Sequence, residues 1–150
     1  MSETPVVIRK MTLDDIPQVF RIGDPYFGSG EELSYSYWSL GEAVYHFTTW
    51  GNLCFVAESD GRLLGFALGA NEYNGKQMGH LEWIAVSSDH QQHGVATQLT
   101  EAVYAAMRQE GLDFAISDVE ETNHESTAFF GTHLGLERIT AINFFKKPLS

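Results

Sequence analysis

The chain has one cysteine, four prolines and only nine lysines and arginines among 150 residues, and each shortage excludes something. Cys54 has no second cysteine to pair with, and its setting in NLCFVAE is that of a buried thiol inside a strand. Asp and Glu number 20, so the net charge is −11, which argues against a nucleic-acid partner because phosphate backbones are bound through Lys and Arg. The same excess suits a cationic partner such as an amine, or simply keeps the surface soluble. No apolar run is long enough to cross a bilayer and MSETPVVIRK contains no signal-peptide core, so no membrane partner and a cytoplasmic location are expected. Linkers, low-complexity tracts and internal repeats are also missing. With 43% hydrophobic and 19% charged residues, the expectation is one globular domain over 1–150.

What is present alternates between strand and helix patterns. Residues 6–9 read as a strand, followed by Thr12 and Asp15 in capping-box spacing and an apolar stripe of Ile16, Val19 and Phe20 that Gly23-Asp24-Pro25 is expected to end. The aromatic-dense segment 26–50 is expected to be helical over 31–48 with a break near Gly41, its rings filling a core or lining an acceptor pocket. Residues 53–58 and 63–70 form a hairpin around Asp60-Gly61, and a polar turn at 74–76 leads to a third strand over 81–86. A helix over 94–110 with its stop at Gly111, a strand over 114–119, a helix over 126–133 and one or two strands over 138–147 complete the chain. A strand joined through a helix to another strand of the same sheet requires a parallel pair.

Residues 80–99 organise the rest. A strand runs through a polar loop into Gly94-Val95-Ala96, where a helix begins, and a helix start preceded by glycine exposes backbone N–H groups and the positive end of the helix dipole to an anion. Neither Gly-x-Gly-x-x-Gly nor Gly-Lys-Ser/Thr occurs, which disfavours a dinucleotide or ATP site.

Gln91-Gln92-His93-Gly94-Val95-Ala96 fits the pattern Gln/Arg-x-x-Gly-x-Gly/Ala after a strand. FVAESDGRLLGF at 55–66, Val86 eight residues ahead of Gly94, and the later Asn123, Ser126, Phe129, Phe130, Gly135 and Leu136 follow in matching order. Together they make the chain resemble the Gcn5-related N-acetyltransferase (GNAT) family along nearly its whole length. The resemblance implies an α/β (α+β) single-domain fold: a mixed, mostly antiparallel sheet whose fourth and fifth strands splay as a parallel pair, with helices on both faces. It implies acetyl-CoA as cosubstrate, with the pyrophosphate on Gln92, His93, Gly94, Val95, Ala96 and Thr97 and with Gln91 also among the cofactor-binding residues. The pantetheine arm and thioester would lie along Ile84, Ala85 and Val86, with Asn123, Ser126, Phe129 and Phe130 contributing from the following helix.

Two departures follow from the residues themselves. The loop and helix start at 87–99 hold no Lys or Arg, leaving His90 and His93 as the groups able to become cationic. Phe130 stands where the family often has a tyrosine acid, so either water or a hydroxyl such as Ser126 protonates the departing thiolate, or turnover is slow. Glu82, four residues before Val86, is the candidate base, acting directly or through water, and strict alternation sets it opposite Trp83. Tyr26, Phe27, Tyr35, His80 and Asp118, with Glu120 and Glu121 beside it, are the candidate acceptor contacts. No histidine pair has a recognised metal-ligand spacing, so no metal is expected. The expected activity is acetyl transfer to a primary amine, on a small molecule, polyamine or peptide, by a monomer or homodimer. The alternative is a non-catalytic acyl-CoA-binding module.

Overall fold

The computed structural model describes residues 4–28, 37–73, 77–90, 94–119, 123–143 and 145–149. They form two compact units, Met1–Asp118 and Val119–Ser150. In the first unit, β1 (Val7–Lys10) pairs antiparallel with β2 (Cys54–Ser59). Asp60 and Gly61 then turn the chain into β3 (Arg62–Tyr73), both at positive φ (53° and 75°), as a tight Asp-Gly hairpin requires. β3 pairs antiparallel with β4 (Met78–Val86), and β4 pairs parallel with β5 (Phe114–Ile116) through the crossover helix α3 (Val95–Gln109). The result is a mixed five-stranded sheet in sequential order.

Helices cover both faces of that sheet. On one, α1 (Ile16–Phe27) and α2 (Leu40–Trp50) enclose a core with Val56, Phe66, Leu68, Trp83 and Ala85. Trp38 is its centre, with ring centroids 5.4 Å from Phe66 and 5.1 Å from Trp83. On the other, α3 presses Met107 against Gly79 and Val103 against Gly69. No described helix is long and apolar enough to cross a membrane.

Several expected boundaries move for physical reasons. Asp15 does close the start of the first helical segment, its carboxylate accepting from the Thr12 N–H at 2.7 Å and from Arg9 at 2.8 and 2.9 Å. Gly23-Asp24-Pro25 does not end α1, which runs on to Phe27. Gly23 serves close packing instead, since a Cβ there would stand 2.6 Å from the Trp38 ring, and Pro25 near the helix end forfeits only one backbone bond. The expected break at Gly41 is also absent. Ser39 caps α2 by accepting from the Glu42 N–H at 3.0 Å, so Gly41 falls in the first turn, while 29–36 and the turn at 74–76 lie outside the described residues.

β5 stops at Ile116 rather than 119, where the Ser117 hydroxyl donates to the Leu81 carbonyl at 2.9 Å. In the second unit, Asn123 caps α4 (His124–Thr127), which widens into a π turn over Ala128–His133 and ends near Gly135 at φ 73°. The strands expected over 138–147 do not form among the described residues. Ile139, Ile142 and Phe145 are exposed there, and an isolated extended segment without a paired neighbour lacks the ladder that makes a strand stable.

Candidate active site

The site grows from an irregularity in β4. Leu68 pairs with Trp83 and Gly69 with Leu81, so Glu82 is an extra residue in the ladder, a β-bulge. Bulges re-aim side chains, and this one overturns the alternation expected from sequence. Tyr37 donates its hydroxyl to Glu82 Oε1 while its ring stands edge-on to Trp83 at 5.4 Å. Glu82 and Trp83 are thus met by the same residue instead of facing opposite sides. Parallel pairing of β4 with β5 also stops at His80 opposite Ile116, whereas β4 continues to Val86. The strand edge beyond the bulge has no β5 partner among the described residues.

Glu82 sits in a network supplied by α2. His46 is wholly buried, its Nδ1 3.1 Å from the Gly69 carbonyl and its Nε2 2.8 Å from Glu82 Oε2 and 3.1 Å from Glu42 Oε1. These are ion-pair distances, with Nε2 out of line for a hydrogen bond to either oxygen. Trp83 Nε1 reaches Glu42 Oε1 at 3.4 Å. Burial opposes charge on Glu82, yet His46 and Tyr37 outweigh it and hold the carboxyl below its ordinary range. Burial likewise opposes charge on His46, and the facing Glu82 reverses it, so the imidazole is held above its ordinary range. Burial and the Glu82 charge raise the Tyr37 phenol, which therefore stays neutral.

His80 forms a second imidazole between carboxylates, Nδ1 2.9 Å from Glu72 and Nε2 2.6 Å from Asp118. Burial works against its charge, but Asp118 and Glu72 push its pKa up to about 9. A raised pKa stabilises the fold fully below the unfolded value near 6.5, and that contribution fades as pH rises through about 9. Chemical denaturation at pH 6 and pH 10 should therefore show a loss on the order of 2 kcal/mol, discounted because both carboxylates are partly exposed. His80→Gln should remove that part of the pH dependence. The donor atoms of Glu42, His46 and Glu82, and those of Glu72, His80 and Glu82, lie within 4.8 Å of one another. In each group the imidazole supplies one of the three donor atoms.

The remaining candidates separate. Tyr26 donates from its hydroxyl to the Val86 carbonyl at 2.9 Å, tying α1 to the end of β4. Phe27 is half-buried and packs against the core, its ring 4.9 Å from Trp83 and 5.5 Å from Trp38, because α1 continues far enough to reach them. Ala85 and Val86 are buried and Ile84 half-buried, so the strand end offers mainly backbone. Gly94 caps α3 at φ 70° with nothing among the described residues within 4 Å of where a Cβ would stand, and Val95, fully buried, anchors the helix behind it. Ala96 and Thr97 continue the first turn, half-buried.

Tyr35, Gln91, Gln92, His93, Glu120 and Glu121 lie outside the described residues. Within the second unit, Asn123 Oδ1 accepts from the Ser126 N–H at 3.1 Å, and Phe129 and Phe130 meet edge-on at 5.1 Å. A separate cleft of about 480 Å³ lies between α1 and the residues following β4. It is lined by Arg21, Tyr26, Ser87 and Ser88 among others, and so carries a cation that the loop at 87–99 lacks.

Tyr37, Glu42, His46 and Glu72 were not singled out by sequence reasoning. Glu42 and His46 are four apart on one helix, a spacing that places both on one face, and that was the available signal.

Comparison with known proteins agrees with this architecture. A sequence profile described as the Acetyltransferase (GNAT) family matches residues 16–136. The chain is 31% identical over 106 residues, 69% of its own length and 52% of the other's, to the N-terminal acetyltransferase A complex catalytic subunit NAA10 of Arabidopsis thaliana. It thus spans about half the length of that relative, and 32% of an N-terminal acetyltransferase complex ARD1 subunit homolog of Dictyostelium discoideum. Among solved structures it matches aminoglycoside N-acetyltransferase AAC(6')-Iy in complex with CoA, with a TM-score of 0.78 over 97% of both chains at 22% identity. Ard1 from Thermoplasma volcanium gives 0.72 over 85% of this chain and 80% of that one at 20% identity. At such identities the structural likeness shows the fold alone. With the profile spanning most of the sequence, the chain belongs to the GNAT acetyltransferase family.

Proposed function

We propose that the protein transfers the acetyl group of acetyl-CoA to a primary amine by direct attack in a ternary complex. The observation that carries this reading is the bulge in β4. It places a carboxylate, Glu82, beside a strand edge that continues past the end of β5 pairing. The same end of that strand leads on to a glycine-opened helix of 15 residues, with nothing among the described residues within 4 Å of where a Cβ would stand, which suits the phosphates of CoA. Backbone groups of Ile84, Ala85 and Val86 would hold the thioester end, and those of Gly94, Val95, Ala96 and Thr97 the pyrophosphate. Acetyl-CoA supplies the activated acyl group.

The chain's own residues then manage charge and protons. Glu42, Glu72, Glu82 and Asp118 outnumber the two imidazoles among them, so the surroundings keep a net negative charge that attracts an ammonium. An ammonium must lose a proton before its nitrogen can attack. Glu82 is one-tenth exposed, and the hydroxyl of the more exposed Tyr37 bonded to it gives the proton a route inward. The nitrogen forms a bond to the carbonyl carbon and gives up its second proton to water as the carbon–sulfur bond breaks, and water delivers a proton to the departing thiolate. The names of the relatives include peptide amino-terminal and aminoglycoside acetyltransferases, and both acceptor types are amines. Cytoplasmic location belongs to the same reading, in keeping with a lone buried thiol that burial pushes up to about 12.

A panel of small amines, polyamines and peptides incubated with acetyl-CoA, reading free thiol, tests the reading. Amine-dependent thiol release is expected. Binding of acetyl-CoA with no thiol release from any amine would support the non-catalytic acyl-CoA-binding module instead.

A further inference from the structure

We infer that His46 is a positioning residue for the acetyl transfer: it holds Glu82 against the Tyr37 hydroxyl and supplies the positive charge that separates Glu82 from Glu42. The inference rests on the reading of Glu82 as the proton acceptor. It begins with the ring's own constraints. The Gly69 carbonyl, 3.1 Å from Nδ1, can only accept, so Nδ1 carries a hydrogen. A neutral ring would then leave the unprotonated, electron-rich Nε2 beside two carboxylate oxygens 2.8 and 3.1 Å away, a repulsive arrangement for a side chain with no exposure to water. Protonation of Nε2 turns both contacts attractive. His46 is therefore a buried imidazolium fixed at one end by β3 and at the other by the two acids.

The groups facing Glu82 show that this cation is not redundant. Tyr37 approaches from the segment before α2, Glu42 and His46 from α2, Glu72 from β3 and His80 from β4, while Asp118, beyond β5, bonds His80 and faces Tyr37. His80 spends its two nitrogens on Glu72 and Asp118. Without His46, Glu42 and Glu82 would meet as like charges in a poorly hydrated space, and one of them would take up a proton. A Glu82 that is already protonated cannot accept one from the substrate.

The test is the pH profile of kcat/KM, normalised to the ammonium form of the amine, for wild type, His46→Gln, the double variant His46→Gln/Glu42→Gln, and Glu82→Gln. The wild-type profile is expected to stay flat down to about pH 5. His46→Gln should bring in an acid limb above about pH 5 and lower kcat at pH 7 by about tenfold, with the amine KM within about twofold. Removing the Glu42 charge in the double variant should abolish that limb. A folded His46→Gln protein that still binds CoA and shows the wild-type profile overturns the inference. If Glu82→Gln is fully active, the reading of Glu82 as acceptor fails instead, which keeps the two failures distinct. Should His46→Gln not fold, nitrogen NMR of the unaltered protein decides: two protonated ring nitrogens on His46 at pH 7 support the inference, and a neutral ring overturns it. Stoichiometric divalent metal on the purified protein would also overturn it, because the same three donors would then be coordinating.

Discussion

Glu82→Gln is expected to lower kcat/KM for the amine acceptor at pH 7 by about 10³-fold, within the range that a positioned general base contributes. The substitution keeps the side-chain shape and leaves an oxygen to accept the Tyr37 hydroxyl. It removes the proton acceptor and one of the negative charges that draw in an ammonium. Part of the cost falls on folding, since the buried His46 loses an ionic partner, so the variant needs a melting curve beside its kinetics. The diagnostic feature is the pH dependence of the gap. As pH approaches the pKa of the amine, the substrate arrives already deprotonated and a base has less to do, so wild type and variant should converge. A constant gap would point to lost binding rather than lost proton transfer, and full activity at pH 7 would exclude Glu82 from the reaction.

The difference between what the sequence disclosed and what it did not lies in the range of the interactions. The Asp60-Gly61 hairpin, the Asp15 carboxylate at the Thr12 N–H, and Gly94 and Gly111 at the two ends of α3 are fixed by neighbours within a few residues, and all were legible. Gly23 and Pro25 misled, because a glycine can be retained for contact with a ring, here Trp38, contributed by a segment far along the chain. The bulge at Glu82 was hidden for a related reason. It is a property of the β3–β4 register, and nothing in HLEWIAV reveals that one residue is extra. Alternation therefore assigns Glu82 to the wrong side of the strand. His46 escaped notice because a histidine among aromatics reads as core filler until Glu82, 36 positions later, is known to face it. Motifs mark the cosubstrate end of such a site, since backbone at a helix start is local. The proton-handling end is assembled from separate elements and has no motif.

Gly94→Val is expected to weaken CoA binding about 100-fold, and Gly111→Val supplies the control that gives this number meaning. Both glycines adopt left-handed backbone, φ 70° and 80°, and neither substitution meets a steric neighbour among the described residues. Each pays a similar backbone penalty, about 1–2 kcal/mol for an L-residue in this region and somewhat more for a β-branched one. The two positions differ in what lies beyond them. Gly111 follows the C-terminus of α3, where its N–H donates to the Arg108 carbonyl at 3.0 Å. Gly94 precedes the N-terminus, where the helix dipole is positive and the first-turn N–H groups face the proposed phosphate seat. Relieving strain at Gly94 would rotate those N–H groups away from a common anion, and the added side chain would occupy the space the pyrophosphate needs. Loss of about 2.7 kcal/mol of phosphate contact corresponds to the 100-fold increase in Kd. Titration calorimetry with CoA should thus find Gly111→Val within about twofold of wild type despite a lowered Tm, and Gly94→Val far weaker at a comparable Tm. Equal weakening in both variants would mean that strain in α3, not the seat at its start, governs affinity, and the assignment of Gly94 to the phosphate would have to be withdrawn.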